Sequence, residues 1–559
     1  MPRSAARRAA AALFATAFAA NALAAPPAAA GGAEPVDLEM VTRIRDEGFH
    51  RSQVMATARH LTDVIGPRLT GSAGQRAANE WTRDRLAEWG LRAWIEEFEF
   101  GEGWSFRRSE VRMTAPAEGL LAALPEAWTP GTAGPVTGTA VRADLGTEED
   151  LEKQKGKLAG KVVFLDEPRP PGEPLEGREA TGGEADFRRW DDGGLAELGV
   201  FEIPERERGG GWPERARKRW EFAEKLHAFL AEEKAVALVG LSSRDHGIVR
   251  LGGGGSRGIA GRSRGIPSVV MASAPYHRVL RLLEEGEEVT LSIDVEAAFD
   301  EAGAVAHNTL AEIPGGDLAG EVVLAGAHLD SWHAGTGATD NAAGCAVAME
   351  AVRILQALGV RPRRTIRVGL WTGEEQGLLG SRAYVEKHLA DRPAVTDPAE
   401  LALHRSLRRP TWPIQPKPDH ARFSAYFNLD NGAGRIRGIY AQENAGVRPI
   451  FAAWLAPFAD LGATAVTLRG TDGTDHQAFD RVGLPGFQFI QDGLDYWSRT
   501  HHTHLDTYEH LIPADLKQAS VVLASFLYHA AMRDERLPRK PMPQAPPEAP
   551  APPAGSGPR

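Results

Sequence analysis

Hydrophobic spacing divides the chain into stretches of different texture. Within 36–110 a helical pattern comes first: in "ANEWTRDRLAEWGL", Trp81, Leu86 and Trp89 recur at helical spacing and Gly90 closes the run. The next segment, "LRAWIEEFEF", alternates as a half-buried strand does. From about 120 to 298 short β-like runs ("KVVFLDE", "AVALVGLSS", "IPSVVMAS", "VTLSIDVEAAF") are separated by long connections rich in Gly, Pro and charge. That texture predicts a separate, mainly-β module inserted into a larger domain. After 305 apolar strands "EVVLAGAH", "TIRVGLWTG", "FSAYFNLDN" and "LPGFQFIQDG" alternate with helical runs such as "GCAVAMEAVRILQALG", where Val347, Ala351, Leu355 and Leu358 share a stripe. Strands alternating with helices imply an α/β domain, a mostly parallel sheet with helices on both faces.

Length agrees with this division, since 559 residues exceed one ordinary core. The expected organisation is a first part of the larger domain over 36–120, the insert over 121–300, and the second part over 301–535. Hydrophobic residues at 42% and charged residues at 25% are those of a globular protein, and the net charge of −11 comes with no basic stripe carrying aromatics. Nucleic acid is therefore not an expected partner. Residues 1–25 read as a signal peptide: Arg3, Arg7 and Arg8 precede an apolar run and an A-x-A site at Ala22 to Ala24. Export to the periplasm or the exterior, with no membrane attachment after cleavage, is the expectation. The Pro-rich end, 536–559, reads as a disordered tail. "LGGGGSRGIAGRSRG" (251–265) lacks the G-K-[ST] ending of a phosphate loop and reads as a mobile loop. The single cysteine, Cys345, excludes a cysteine-ligated zinc site and reads as a small buried hydrophobe.

The candidate chemistry collects at strand ends, where open α/β sheets bind ligands. The first strand after 305 leads into His328, Asp330 and then Asp340; the second into Glu374 and Glu375. The third leads into Asp430 and the fourth into His501, His502 and His504. A lone carboxylate at a strand end is ordinarily a cap or a solvated loop residue. Four strands delivering His, Asp, Glu, Asp and His to one edge make a metal site of nitrogen and oxygen donors, which suits zinc.

The motifs "GAHLDSW", "GATDNAAG", "WTGEEQGLLGS", "NLDN" and "HTHLDT" resemble, in order, those of the co-catalytic di-zinc exopeptidases, the aminopeptidase and glutamate carboxypeptidase type, and within them the carboxypeptidase Q branch. "DVIGPRLTGS" (63–72) resembles that family's opening motif, and the insert resembles its protease-associated domain. The resemblance implies two Zn²⁺ per chain. His328 and Asp430 would hold one, Glu375 and His502 the other, and Asp340 would bridge them. It implies Glu374 as general base, Asp330 as the residue orienting His328, and a cis peptide at Asp340–Asn341. Two positions stay open: His501 or His504 could replace His502, and Asp506 could cap the next helix or hold the loop. His476 either contacts substrate or the oxyanion, or has no role. His333 has no part in the expected site.

The implied activity is hydrolysis of dipeptides or of terminal residues of short peptides, with a homodimer as the implied assembly. Alternatives are a carboxypeptidase trimming C-termini, for which Arg435 and Arg469 offer cationic candidates, and a one-zinc glutaminyl cyclase. A metal-free binding protein on this scaffold would lack ligands that this chain has.

Overall fold

The computed structural model describes residues 34–167, 187–200, 212–255, 258–259 and 262–546. The expected signal peptide and the last residues of the tail lie outside these. From Val36 onward the chain forms one compact unit. Its strands β1 (Arg92–Glu99), β2 (Val305–Ile313), β3 (Leu318–His328), β4 (Arg364–Trp371), β5 (Phe423–Asn428), β6 (Ile436–Tyr440), β7 (Ala465–Thr467) and β8 (Gly486–Gln491) form one sheet. The spatial order is β1-β2-β4-β3-β5-β8-β6-β7. Its centre is parallel, β4 with β3, β3 with β5 and β5 with β8, while β1–β2, β2–β4 and β6–β8 are antiparallel. The domain is α/β, with a mostly parallel sheet.

Helices α1 (Ala73–Glu88), α2 (Ala343–Ala357), α3 (Leu379–His388) and α4 (Pro513–Met532) cover it. Ser72 caps α1 by accepting from the Gln75 amide, and Gly90 follows the helix in the left-handed region (φ 88°). Helix α2 is buried on every side, with Val347, Ile354 and Leu355 in the same core as Phe427, Phe487 and Leu523. Each such aliphatic side chain contributes about 1.5–3 kcal/mol by leaving water.

A second sheet forms the insert, in the order Gly119–Leu120, Gly103–Ala115, Thr290–Asp300, Val136–Arg142, Lys161–Phe164, Ala237–Leu241, Ser268–Met271, Ala123–Pro125. Three expectations are corrected here. First, the module claims the strand Gly103–Ala115, ahead of the boundary expected at 121, because that strand pairs along Thr290–Asp300. Second, it is α/β rather than mainly β. The middle strands, from Val136–Arg142 through Lys161–Phe164 and Ala237–Leu241 to Ser268–Met271, run parallel, and parallel neighbours need crossovers. Helices Glu148–Gln154 and Trp212–Glu232 lie in those crossovers. Third, residues 536–546 have no helix or strand yet are not loose. Leu537 is buried, Arg539 donates to the carbonyls of His420 (2.8 Å) and Phe423 (2.5 Å), and Lys540 pairs with Asp480 at 2.8 Å. No helix among the described residues is long and apolar enough to cross a membrane.

Candidate metal centre

Parallel pairing makes β3, β4, β5 and β8 end at the same edge of the sheet, and the candidate ligands follow those ends. His328 is the last residue of β3. Its Nε2 lies 3.1 Å from Asp340 Oδ1 and 3.2 Å from Asp430 Oδ1. His502 Nε2 lies 3.3 Å from the other oxygen of Asp340 and 3.0 Å from Glu375 Oε2. One carboxylate thus faces two histidines, each with a second carboxylate of its own. Asp340 Oδ2 and Glu375 Oε1 are buried and accept no hydrogen bond. Buried carboxylate oxygens without donors are costly unless a cation faces them, so the set fits divalent ions with N and O ligands.

The loops carrying these ligands are pinned by residues outside the donor set. The Asp340–Asn341 peptide is cis. Asn341 Nδ2 donates to the Leu429 carbonyl (2.9 Å), tying the Asp340 loop to the Asp430 segment. The Asp506 carboxylate accepts from the amides of Thr339 (2.7 Å) and Asp340 (3.1 Å) and from the Thr339 hydroxyl (2.8 Å). Of the two roles open to Asp506, it holds the loop.

Asp330 acts in two ways. Its backbone carbonyl, not its carboxylate, is the near partner of His328 Nδ1, at 2.9 Å against 3.6 Å. An acceptor there puts the proton on Nδ1 and leaves Nε2 to face a metal. Its carboxylate accepts from the amides of Glu374 and Glu375, both at 3.3 Å, and from the Thr70 hydroxyl at 3.0 Å. Asp330 therefore orients His328 through the main chain and holds the turn bearing both glutamates.

Glu374 and Glu375 sit in a turn just past the end of β4. β4 stops at Trp371, and the amides of Gly377 and Leu378 donate back to the Glu374 carbonyl. The turn still separates the pair: Glu374 lies with His328 and Asp430, within 4.8 Å of one another, while Glu375 meets His502.

Electrostatics follow from burial and crowding. Burial, and then neighbouring carboxylates, push Glu374 and Glu375 well above the usual carboxylate range. Burial alone would lower His328, but Asp430, Asp330 and Asp340 more than reverse it and hold the imidazole well above its ordinary value. Burial lowers His502 to about 4, although Asp340 opposes the shift. A cluster this acidic is one that dications would relieve.

The other expected residues take different places. His501 stacks on His502, with ring centroids 3.7 Å apart, and stays within ligand reach of Asp340. His504 Nδ1 accepts from the Val249 amide at 3.0 Å. His476 is buried against the Thr471 carbonyl at 2.9 Å. His333 packs edge-on to Trp104 and Phe106 and bonds the Pro125 carbonyl at 2.8 Å, away from the ligand set. Cys345 is buried on α2 and donates to the His328 carbonyl at 3.0 Å. Arg435 pairs with Asp515 (3.0 Å), and Arg469 donates to the carbonyls of Val200 and Glu197.

Sequence reasoning missed four residues. Arg68 is fully buried, and its guanidinium donates to the carbonyls of Leu61, Gly66, Leu329, Thr336 and Gly337. Gly337, at φ 60°, has no room for a Cβ beside Ser331 and this guanidinium. Arg68 and Thr70 lie within "DVIGPRLTGS", so the motif was visible and its work was not. Asp475, next to His476, is fully buried, bonds the Ser381 hydroxyl and is pushed up to about 7 by burial and nearby carboxylates. Arg250, from the insert, has Nη2 3.2 Å from His502 Nδ1. Of the Gly-rich segment after it, residues 251–255 are stitched rather than loose, and 256–257 and 260–261 lie outside the described residues: Leu251 N donates to the His502 carbonyl (2.9 Å) and Gly254 N to the Ala127 carbonyl (3.0 Å).

A family model described as Peptidase family M28 matches residues 308–527, the stretch that contains every candidate ligand. This stretch is similar to peptidase family M28. Mouse carboxypeptidase Q is 29% identical over 275 residues, 49% of this chain and 52% of the mouse protein. The chain thus matches about half the length of that curated relative. A solved peptidase M28 precursor from Shewanella amazonensis is 25% identical, with a TM-score of 0.62, and the match covers 91% of this chain and 99% of that one. A zinc aminopeptidase from Bacillus subtilis, at 16% identity, TM-score 0.52 and coverage of 86% and 95%, shares the fold.

Proposed function

We propose that this protein is an exported two-zinc exopeptidase that hydrolyses dipeptides or removes terminal residues from short peptides. The observation that carries the reading is Asp340, whose two oxygens face different histidines at 3.1 and 3.3 Å. In this reading His328 and Asp430 would hold one Zn²⁺, Glu375 and His502 a second, and Asp340 would be shared between the two pairs. A third carboxylate brings the five-ligand set to nearly neutralise two dications, which speaks against a one-zinc cyclase. Bound zinc would supply Lewis acidity, lowering the pKa of a water and polarising the scissile carbonyl.

Glu374 is left free of the ligand roles and is the general base. It takes the proton of the attacking water and returns it to the leaving amine. Its high proton affinity, from burial among carboxylates, fits a group that must accept a proton near neutral pH. Asp330 and Thr70 keep it in place through the turn. Export is supported by the signal-like composition of residues 1–25.

The test is a dipeptide panel with either terminus blocked, comparing wild type with Glu374→Gln. The expected loss in kcat is about 10²–10⁴-fold with zinc content unchanged. Activity retained in Glu374→Gln overturns the base assignment, and a wild type that cleaves nothing in the panel overturns the peptidase reading.

A further inference from the structure

We infer that Arg382, Arg405 and Arg481 form an anion-binding patch beside the Glu374 turn, and that it takes the side-chain carboxylate of an acidic residue in a short peptide substrate. The inference rests on the two-zinc exopeptidase reading and names the substrate class that the site favours.

Three separate elements bring these side chains together. Arg382 lies in the first turn of α3, Arg405 opens the short turn Arg405–Leu407, and Arg481 directly follows the helix His476–Asp480. Arg382 and Glu386 stand one turn apart on the same face of α3, and Arg405 Nη2 lies 3.7 Å from Glu386 Oε2. Arg481 Nη2 donates to Gln477 Oε1 at 2.9 Å, and Arg392 donates to the Arg481 carbonyl at 3.0 Å. The half-buried Arg382 guanidinium makes no hydrogen bond or ion pair with any described residue. The charges that act on it are those of Arg481, Glu386, Arg405 and Asp475; burial, and then Arg481, lower it to about 10.

The patch is short of anions. Of the carboxylates around these arginines, Asp475 is taken by the Ser381 hydroxyl (2.5 Å), Asp480 by Lys540 (2.8 Å) and Asp472 by the Gln477 amide group (2.5 Å). Glu386 is left, and its 3.7 Å to Arg405 is longer than the roughly 2.7–2.9 Å of a charge-assisted hydrogen bond. Guanidiniums gathered this way repel one another. A carboxylate laid against them relieves that repulsion and meets paired N–H donors. The position ties the patch to the metal centre. Ser381, next to Arg382, reaches Asp475, and α3 begins where the Glu374 turn ends. A Cβ on Gly377, in that turn, would stand 2.2 Å from Ser406 Cβ, so the loop carrying Arg405 lies directly against it. The same loop meets the insert, where Glu400 pairs with Arg217 at 2.8 Å. Each residue of an extended peptide advances it by about 3.3–3.6 Å, so a tripeptide has the length to cross one turn.

The test measures kcat/KM for tripeptides that differ only as Glu against Gln, with the pair placed at each position in turn and zinc content measured for every variant. Wild type is expected to favour Glu at least tenfold at one position in low salt, with the preference shrinking as salt rises. Arg382→Gln should bring that ratio near one through KM. Arg405→Glu, on an exposed turn, should take it below one. Calorimetry with the same tripeptides, both peptide bonds reduced to CH₂–NH, gives a readout independent of turnover. Wild type should hold the Glu form at least tenfold tighter, and Arg382→Gln should hold both alike. A wild-type ratio near one at every position overturns the inference, as does an unchanged ratio in either variant. Equal loss on Glu and Gln peptides, or loss of zinc, overturns it by making the arginines supports of the Glu374 turn. Inorganic phosphate that alters hydrolysis of Gln peptides by wild type but not by Arg382→Gln overturns it in favour of a free anion. Arg382-dependent binding of the reduced Glu peptide without hydrolysis by wild type would sustain the inference and sink the peptidase reading.

Discussion

The two sheets meet at one site and contribute to it by different means. The larger domain's sheet supplies donors through its topology: parallel strands stop at a common edge, and His328, Glu375, Asp430 and His502 follow from where they stop. The inserted sheet supplies a wall through contact. Its segment 249–251 pairs with 502–504, and its Trp128 packs edge-on to Trp332 beside His502. Strand-end chemistry is a property of the fold, whereas the wall depends on how two surfaces happen to register. The first should therefore fail completely when a donor is lost, and the second by degrees.

The largest effect expected is from Asp340→Ala. It removes the only carboxylate that faces both histidines among the described ligand set, so zinc should fall to at most one per chain and hydrolysis below detection, by metal analysis and a dipeptide assay. Two zincs retained would break the division between donors and supports. Thr70→Val tests the layer beneath. It removes the hydroxyl from Asp330, which holds the Glu374–Glu375 turn, and should cost about 10–100-fold in activity or zinc affinity.

At the joint with the insert the expected effect is on stability rather than on hydrolysis. His333 is buried between Trp104 and Phe106 of the module, and burial lowers it to about 4. Between that value and about 6.5 the unfolded chain holds a proton there that the folded one does not. Stability should therefore be intact above about pH 6.5 and fall as the pH drops towards 4, by about 2–3 kcal/mol from this residue. In denaturant titrations His333→Phe should flatten that slope, and an unchanged slope would remove His333 from the joint.

The same contrast explains what could be read from the residues alone. Alternation of apolar strands and helices after 305 made the parallel sheet legible, and strand ends made the donors candidates. Arg68 was not legible, because three of its five carbonyl partners, those of Leu329, Thr336 and Gly337, lie more than 260 residues away, and carbonyls leave no mark on a sequence. Asp475 was passed over for His476 since nothing in "GTDGTDHQAFD" says which side chain a short turn aims at the site. The insert read as mainly β because its crossover helices fall among Gly- and charge-rich stretches that dilute helical spacing. Arg250 depends on the register of two segments 252 residues apart, which no local pattern encodes.

The most direct measurement is the zinc content of the purified wild-type protein, by elemental analysis against protein concentration. A bridging Asp340 predicts two zinc ions per chain, both lost or reduced to one in Asp340→Ala. One zinc per chain in wild type, or two surviving in that variant, would contradict the account.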